Sequence, residues 1–170
     1  MRDYAFGWNA QGLGHFFRKD YPQAGFCFTQ ARLFAHDLGV TDYNLGILYF
    51  QQGDFPRSET HYLRSIRSHL SQYRDRRTWP VISGELARVY NNLGTLKERQ
   101  ELYGEAAAFY EKSLEADPSF VSACYNMAVV HWKMQKWDEV VFYLEKTLRM
   151  DPSHKEARYY LDKLSKKRLP

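Results

Sequence analysis

The stretch Val89–Phe120, VYNNLGTLKERQELYGEAAAFYEKSLEADPSF, decides the fold. Tyr90 and Leu93 in its first half, and Tyr103, Ala106, Tyr110 and Ser113 in its second, recur at three- and four-residue spacing. That period puts each set on one face of an amphipathic helix. Asp117-Pro118 ends the second run, because a residue preceding proline is driven out of the helical region. Gly94 sits inside the first run, where glycine costs about 1 kcal/mol relative to alanine. A glycine retained at that position implies a packing demand.

Outward from this stretch the pattern repeats. Gly12 and Gly46 stand 34 residues apart, as do Gly94 and Ala128, and Pro118 and Pro152. Residues 43–46, 91–94 and 125–128 read Tyr-Asn-Leu-Gly, Asn-Asn-Leu-Gly and Tyr-Asn-Met-Ala. Each copy then places a large aromatic residue (Tyr21, Phe55, Tyr103, Trp137), a short one (Ala24, Ser58, Ala106, Val140), Phe28, Tyr62, Tyr110 or Leu144, and finally Ala31, Ser65, Ser113 or Thr147. The reading is two helices per unit, with the Gly or Ala of the first facing the short residue of the second so that the backbones approach, and the large aromatics filling the space around that contact. One interval departs: Gly46 to Gly94 is 48 residues. The extra residues fall around Arg64 to Glu85, with Pro80 marking the turn. Seven residues added to each of two helices would keep helical phase to about 20°, giving a protruding pair with Trp79 near its tip.

On these residues the chain resembles the tetratricopeptide repeat family over essentially its whole length. Gln11 replaces the usual Leu, while His15, Lys97 and His131 stand where a Tyr is typical. The resemblance implies an all-α, right-handed superhelical solenoid of antiparallel helix pairs. The expected organisation is a single domain over 1–170, with repeats at about 5–38, 39–86, 87–120 and 121–154 and a capping helix over 155–170.

The 170 residues carry 24 basic and 20 acidic side chains, a mild excess that does not point to nucleic acid. The two cysteines, Cys27 and Cys124, make neither a disulfide framework nor a metal set. No apolar run approaches a membrane span, and the N-terminus lacks the apolar stretch of a signal peptide. The expected location is cytoplasmic. No phosphate-binding glycine loop, Cys-x-x-Cys or His-Glu-x-x-His occurs. The expectation is therefore a chain with no catalytic residues, no metal and no cofactor. His15 and His131 read as packing residues.

Resemblance to the family implies a concave surface lined by the first helix of each pair, suited to an extended peptide. The helical phase places Asn9, Leu13, Phe16 and Phe17 there from the first unit, and Tyr43, Asn44, Ile47 and Phe50 from the second. The third supplies Arg88, Asn91, Asn92 and Arg99, and the fourth Tyr125, Asn126 and Trp132. Asn44, Asn92 and Asn126 share one position, and a carboxamide both donates to and accepts from a peptide backbone. The row is similar to the asparagine ladder of O-linked glycosyltransferase repeat domains; the alternative is that these residues pack between units. The carboxylate clamp of chaperone cofactors fits less well, because Asn9 and Leu13 stand where Lys and Asn belong. Arg57, Arg64, Arg67, Arg74, Arg76 and Arg77 form a local basic run, with Lys163, Lys166, Lys167 and Arg168 in the tail. The expected function is a non-catalytic protein-interaction scaffold whose partner is a protein or peptide. Alternatives are a repeat segment of a larger enzyme or membrane protein, or a self-associating structural module.

Overall fold

The computed structural model describes residues 2–35, 39–72 and 79–167. Tyr73, Arg74, Arg76 and Arg77 of the expected hairpin and Arg168 of the tail lie outside the described residues, as do the side chains of Lys166 and Lys167. Among the described residues all regular structure is helical: α1 (Arg2–Phe17), α2 (Tyr21–Phe34), α3 (Gly39–Gln51), α4 (Phe55–Gln72), α5 (Trp79–Arg99), α6 (Tyr103–Ala116), α7 (Val121–Lys133), α8 (Trp137–Met150) and α9 (Lys155–Lys167). The chain divides into two compact units, Met1–Val89 and Tyr90–Pro170, and the division falls within α5. In the first unit α1 packs on α2, α2 on α3 and α3 on α4. In the second, α6 packs on α7, α7 on α8 and α8 on α9. The all-α repeat fold expected from the sequence is what the chain adopts.

The repeat positions explain the packing. Ala24, Ser58, Ala106 and Val140 are fully buried, as are Ala31, Ser65, Ser113 and Thr147. Where those residues are hydroxylic, the backbone absorbs the polar atom: Ser58 Oγ donates to the Gly46 carbonyl at 2.8 Å and Ser65 Oγ to the Gly39 carbonyl at 2.7 Å. The glycines do more than face a short residue, because the aromatic rings filling the space around that contact lie directly against them. A Cβ on Gly12, Gly46 or Gly94 would come within 2.5 Å of the ring of Phe28, Tyr62 or Tyr110 respectively. The absent side chain makes room for a buried aromatic ring on the second helix. In the last pair the ring is replaced by Leu144, and there Ala128 occupies the glycine position within one core cluster.

The turn inside each helix pair also repeats. Lys19, Gly53, Glu101 and Gln135 all have positive φ, near +60° for the three that are not glycine and +76° for Gly53. The next amide reaches back five residues: Asp20 N–H to the His15 carbonyl, Asp54 to Tyr49, Leu102 to Lys97 and Lys136 to His131, each at 2.9 Å. This is the left-handed helix stop with a six-to-one bond. Between pairs, Asp117 and Asp151 are extended, and each carboxylate accepts from the amide and hydroxyl of the serine two residues on.

Within the described residues α4 has 18 residues against 14 in α2, α6 and α8, and α5 has 21 against 13 in α7, so both helices are longer than their counterparts. Pro80 is the second residue of α5, not the turn. It is tolerated there because the first-turn amides have no intrahelical partner.

Candidate functional site

Two of the asparagines expected to form a ladder, Asn44 and Asn126, are tied to other asparagines across helices. Asn44 on α3 donates its Nδ2 to Asn9 Oδ1 on α1 at 3.1 Å, and both residues are only 6% exposed. In the second unit Asn126 on α7 donates to Asn91 Oδ1 on α5 at 2.9 Å, and Asn91 Nδ2 lies 3.5 Å from Asn92 Oδ1. Both long-range pairs span 35 residues. The recurrence shows one local rule: a first-helix asparagine bonds the residue one position earlier in the preceding first helix. Asn91, Asn92 and Asn126 remain half-buried, while Asn9 and Asn44 are withdrawn from the surface.

The other expected residues of the first unit are largely engaged in packing. Leu13 and Phe16 lie against the core formed by Ala24, Phe28, Leu45 and Leu48. Phe16 also meets Tyr21 at 5.7 Å, Tyr43 meets Tyr62 at 6.2 Å, and Phe50 meets Phe55 at 5.9 Å between ring centroids. Ile47 is half-buried. Phe17 points outward, 78% exposed. Arg88 is exposed and pairs with Glu85 one turn back at 3.2 Å, and Arg99 is exposed on α5.

Two expected residues meet in one cavity. Tyr125 and Trp132 line a cleft of about 410 Å³ in the second unit, joined by Glu98 from α5, Val129 and Lys133 from α7 and Tyr160 from α9. Its floor is core: Ala128, Val140 and Leu144. The walls are held by aromatic contacts, with Trp132 edge-on to Trp137 at 5.2 Å and to Tyr160 at 5.6 Å, and Tyr125 against His154 at 4.7 Å. Burial, reinforced by Tyr160 and Glu156, pushes the Tyr125 phenol up, so it stays a neutral hydroxyl. Glu98 is fixed because it accepts the Tyr110 hydroxyl at 2.9 Å. Tyr160 was absent from the sequence reading, which treated the tail as a cap. Ala157, Tyr160, Leu161 and Leu164 all pack on the last core cluster. Their three- and four-residue spacing was the signal available.

Histidine and cysteine do what packing requires. His131 stacks on Tyr143 at 5.4 Å and 8°, and its pKa is lowered by burial. Tyr49 stacks on His61 at 5.3 Å and 18°, the same pair of repeat positions with the two rings exchanged. His15 Nδ1 lies 3.1 Å from Asp20 Oδ2. Cys27 and Cys124 are buried, and burial raises both thiols, which disfavours the reactive thiolate. A buried pair not foreseen from sequence, Asp42 and His61, is in contact at 2.7 Å. Among the described residues no three His, Cys, Asp or Glu gather as a metal would need.

Comparison with known proteins identifies the repeat family. Two tetratricopeptide-repeat family models match residues 37–119 and 123–156, together more than half of the chain. No curated protein matches the sequence. Among solved structures, PilF of Pseudomonas aeruginosa superposes with a TM-score of 0.80 at 22% identity, over 98% of this chain and 71% of that one. A chain of the Cut9–Hcn1 hetero-tetramer of the APC/C gives 0.79 at 14% identity, over 93% of this chain and 29% of that one. Among the described residues no helix is long and apolar enough to cross a membrane. With the glycine–ring pairs and repeated turns in place, this chain belongs to the tetratricopeptide repeat family.

Proposed function

We propose that this protein-interaction scaffold holds an extended segment of a partner protein, with one large apolar side chain of that segment seated between Tyr125, Trp132 and Tyr160. The cleft carries this reading: three aromatic walls over an apolar floor, with Glu98 and Lys133 among its lining residues. Aromatic residues in such settings dominate binding energy. Asn91, Asn92 and Asn126, all half-buried, would present their carboxamides to the partner backbone, and Arg99 would favour an acidic neighbour. The ladder then belongs to the second unit, because Asn9 and Asn44 are paired below the surface.

Selection of binding peptides from a random display library, followed by affinity in solution, tests the reading. Trp132→Ala and Tyr160→Ala should each weaken the selected peptides by about tenfold or more, as truncated hot-spot residues do. Circular dichroism should show both variants folded. Peptides whose affinity survives both changes would remove the cleft from the function.

A second reading rests on Phe17 and on Tyr4 and Phe6, all exposed on α1. Exposed apolar patches mark interfaces, and self-association through this helix would use them. Sedimentation at rising concentration, with Phe17→Ser as control, separates a self-associating chain from a monomeric receptor.

A further inference from the structure

The first unit contains a cavity of about 610 Å³ that the groove reading does not use, lined by Arg32 and Leu33 of α2, Asp42 of α3, and Arg64, Arg67, Ser68 and Ser71 of α4. We propose that it is a second binding site, and that it takes a phosphorylated side chain of a partner polypeptide.

The argument begins with the helix. Arg64, Arg67, Ser68 and Ser71 follow at intervals of three, one and three residues, so one face of α4 presents both guanidiniums and two short side chains. Arg32, in the last turn of α2, brings a third guanidinium to the same cavity. The serines leave room rather than bulk, and Ser71 turns its hydroxyl back to the Ser68 carbonyl at 2.7 Å. Recognition therefore falls to the guanidiniums, whose planar forks match the oxygens of phosphate and carboxylate.

Charge selects between those two anions. Among the described lining residues three arginines stand against one carboxylate, Asp42, which is only 4% exposed and is engaged by His61 at 2.7 Å. A side-chain carboxylate brings one negative charge, whereas a phosphate monoester brings about −1.5 to −2 at neutral pH and three acceptor oxygens. The doubly charged group better matches three guanidiniums. The shape selects the carrier. A concave site admits a protruding side chain more readily than a flat bilayer. No aromatic ring among the described lining residues offers a base the stacking surface that single-stranded nucleic acid uses. Leu33, 64% exposed at the edge, offers apolar contact to a residue flanking the phosphate.

The site shares no residue with the Tyr125–Trp132–Tyr160 cleft, so either can fail without the other. Its test is nitrogen-detected titration of the arginine Nε–H signals of the whole 170-residue chain. The probes are a blocked Gly-phosphoserine-Gly peptide, its glutamate counterpart and inorganic phosphate. The phosphoserine peptide should shift Arg32, Arg64 and Arg67 along one saturable curve, at least about tenfold more tightly than the other two probes. Arg64→Gln with Arg67→Gln should weaken it by about tenfold or more while the amide spectrum stays dispersed. Arg149→Gln, on α8, should leave it unchanged. Equal binding of the glutamate peptide, saturation by inorganic phosphate alone, indifference to the double substitution, or no saturable shift would each overturn the proposal.

Discussion

At the scale of single residues, the organising contact is a missing Cβ against a buried ring. Tyr110 is fully buried, and its hydroxyl donates to Glu98 while meeting Thr95 at 3.2 Å, so the ring cannot retreat from Gly94. Gly94→Ala gains helix propensity worth about 1 kcal/mol but overpacks the ring, a penalty of about 1–3 kcal/mol. The net expectation is destabilisation by about 1 kcal/mol in the native background. In a Tyr110→Leu background the same change should be neutral or stabilising, because Ala128 with Leu144 is this combination already realised in the chain. Urea unfolding of the four proteins gives the coupling; strictly additive effects would remove the explanation. The recurrent glycines were legible in the sequence as a packing demand. That large aromatics fill the space around them was legible too; which ring meets each glycine was not, since repeat spacing orders residues along a helix but leaves open which neighbour lies beside them.

At the scale of the element, the four turns share a backbone but not a chemistry. Asp20 and Asp54 open α2 and α4, their carboxylates accepting from the amides of Gln23 at 3.4 Å and Arg57 at 3.0 Å. Leu102 and Lys136 hold the same place before α6 and α8 and make no side-chain cap. A capping acid there typically contributes about 0.5–2 kcal/mol. Leu102→Asp and Lys136→Asp should each add stability in that range, at the lower end because both sites are exposed, and so raise the thermal midpoint. A fall in either midpoint would mean that the turns of the two units are not equivalent. Helix existence and order were readable from apolar period and proline.

At the scale of the whole molecule, stability should follow the buried imidazoles. Burial holds His69 and His131 below the ordinary value of 6.5, with Glu85 opposing at His69, and Glu139 opposing and Lys136 assisting at His131. A native pKa below the unfolded one means the unfolded chain takes up protons first. Stability is thus full above about 6.5 and declines as pH falls through that value toward the native pKa. Asp54, held down by the Arg57 amide, and Asp151, held down by Ser153, extend the loss below the ordinary carboxylate value of 3.8. The urea midpoint should therefore drop between pH 7.5 and pH 5, and His131→Tyr, the residue found at the equivalent Tyr49, should shrink the drop. An identical drop in that variant would clear His131 of the effect.

The amino-acid sequence alone determined the all-α repeat architecture and the family, because apolar period, helix-breaking residues and repeat interval are properties of the chain read along itself. Tyr125 and Trp132 were legible as candidate binding residues for the same reason. Tertiary structure decided the rest. It paired Asn44 with Asn9 and Asn126 with Asn91, brought Tyr160 to Trp132, and set Arg32 beside Arg64 and Arg67. Each of these depends on which helix faces meet across space, and a one-dimensional period fixes a residue's face without naming the residue opposite it.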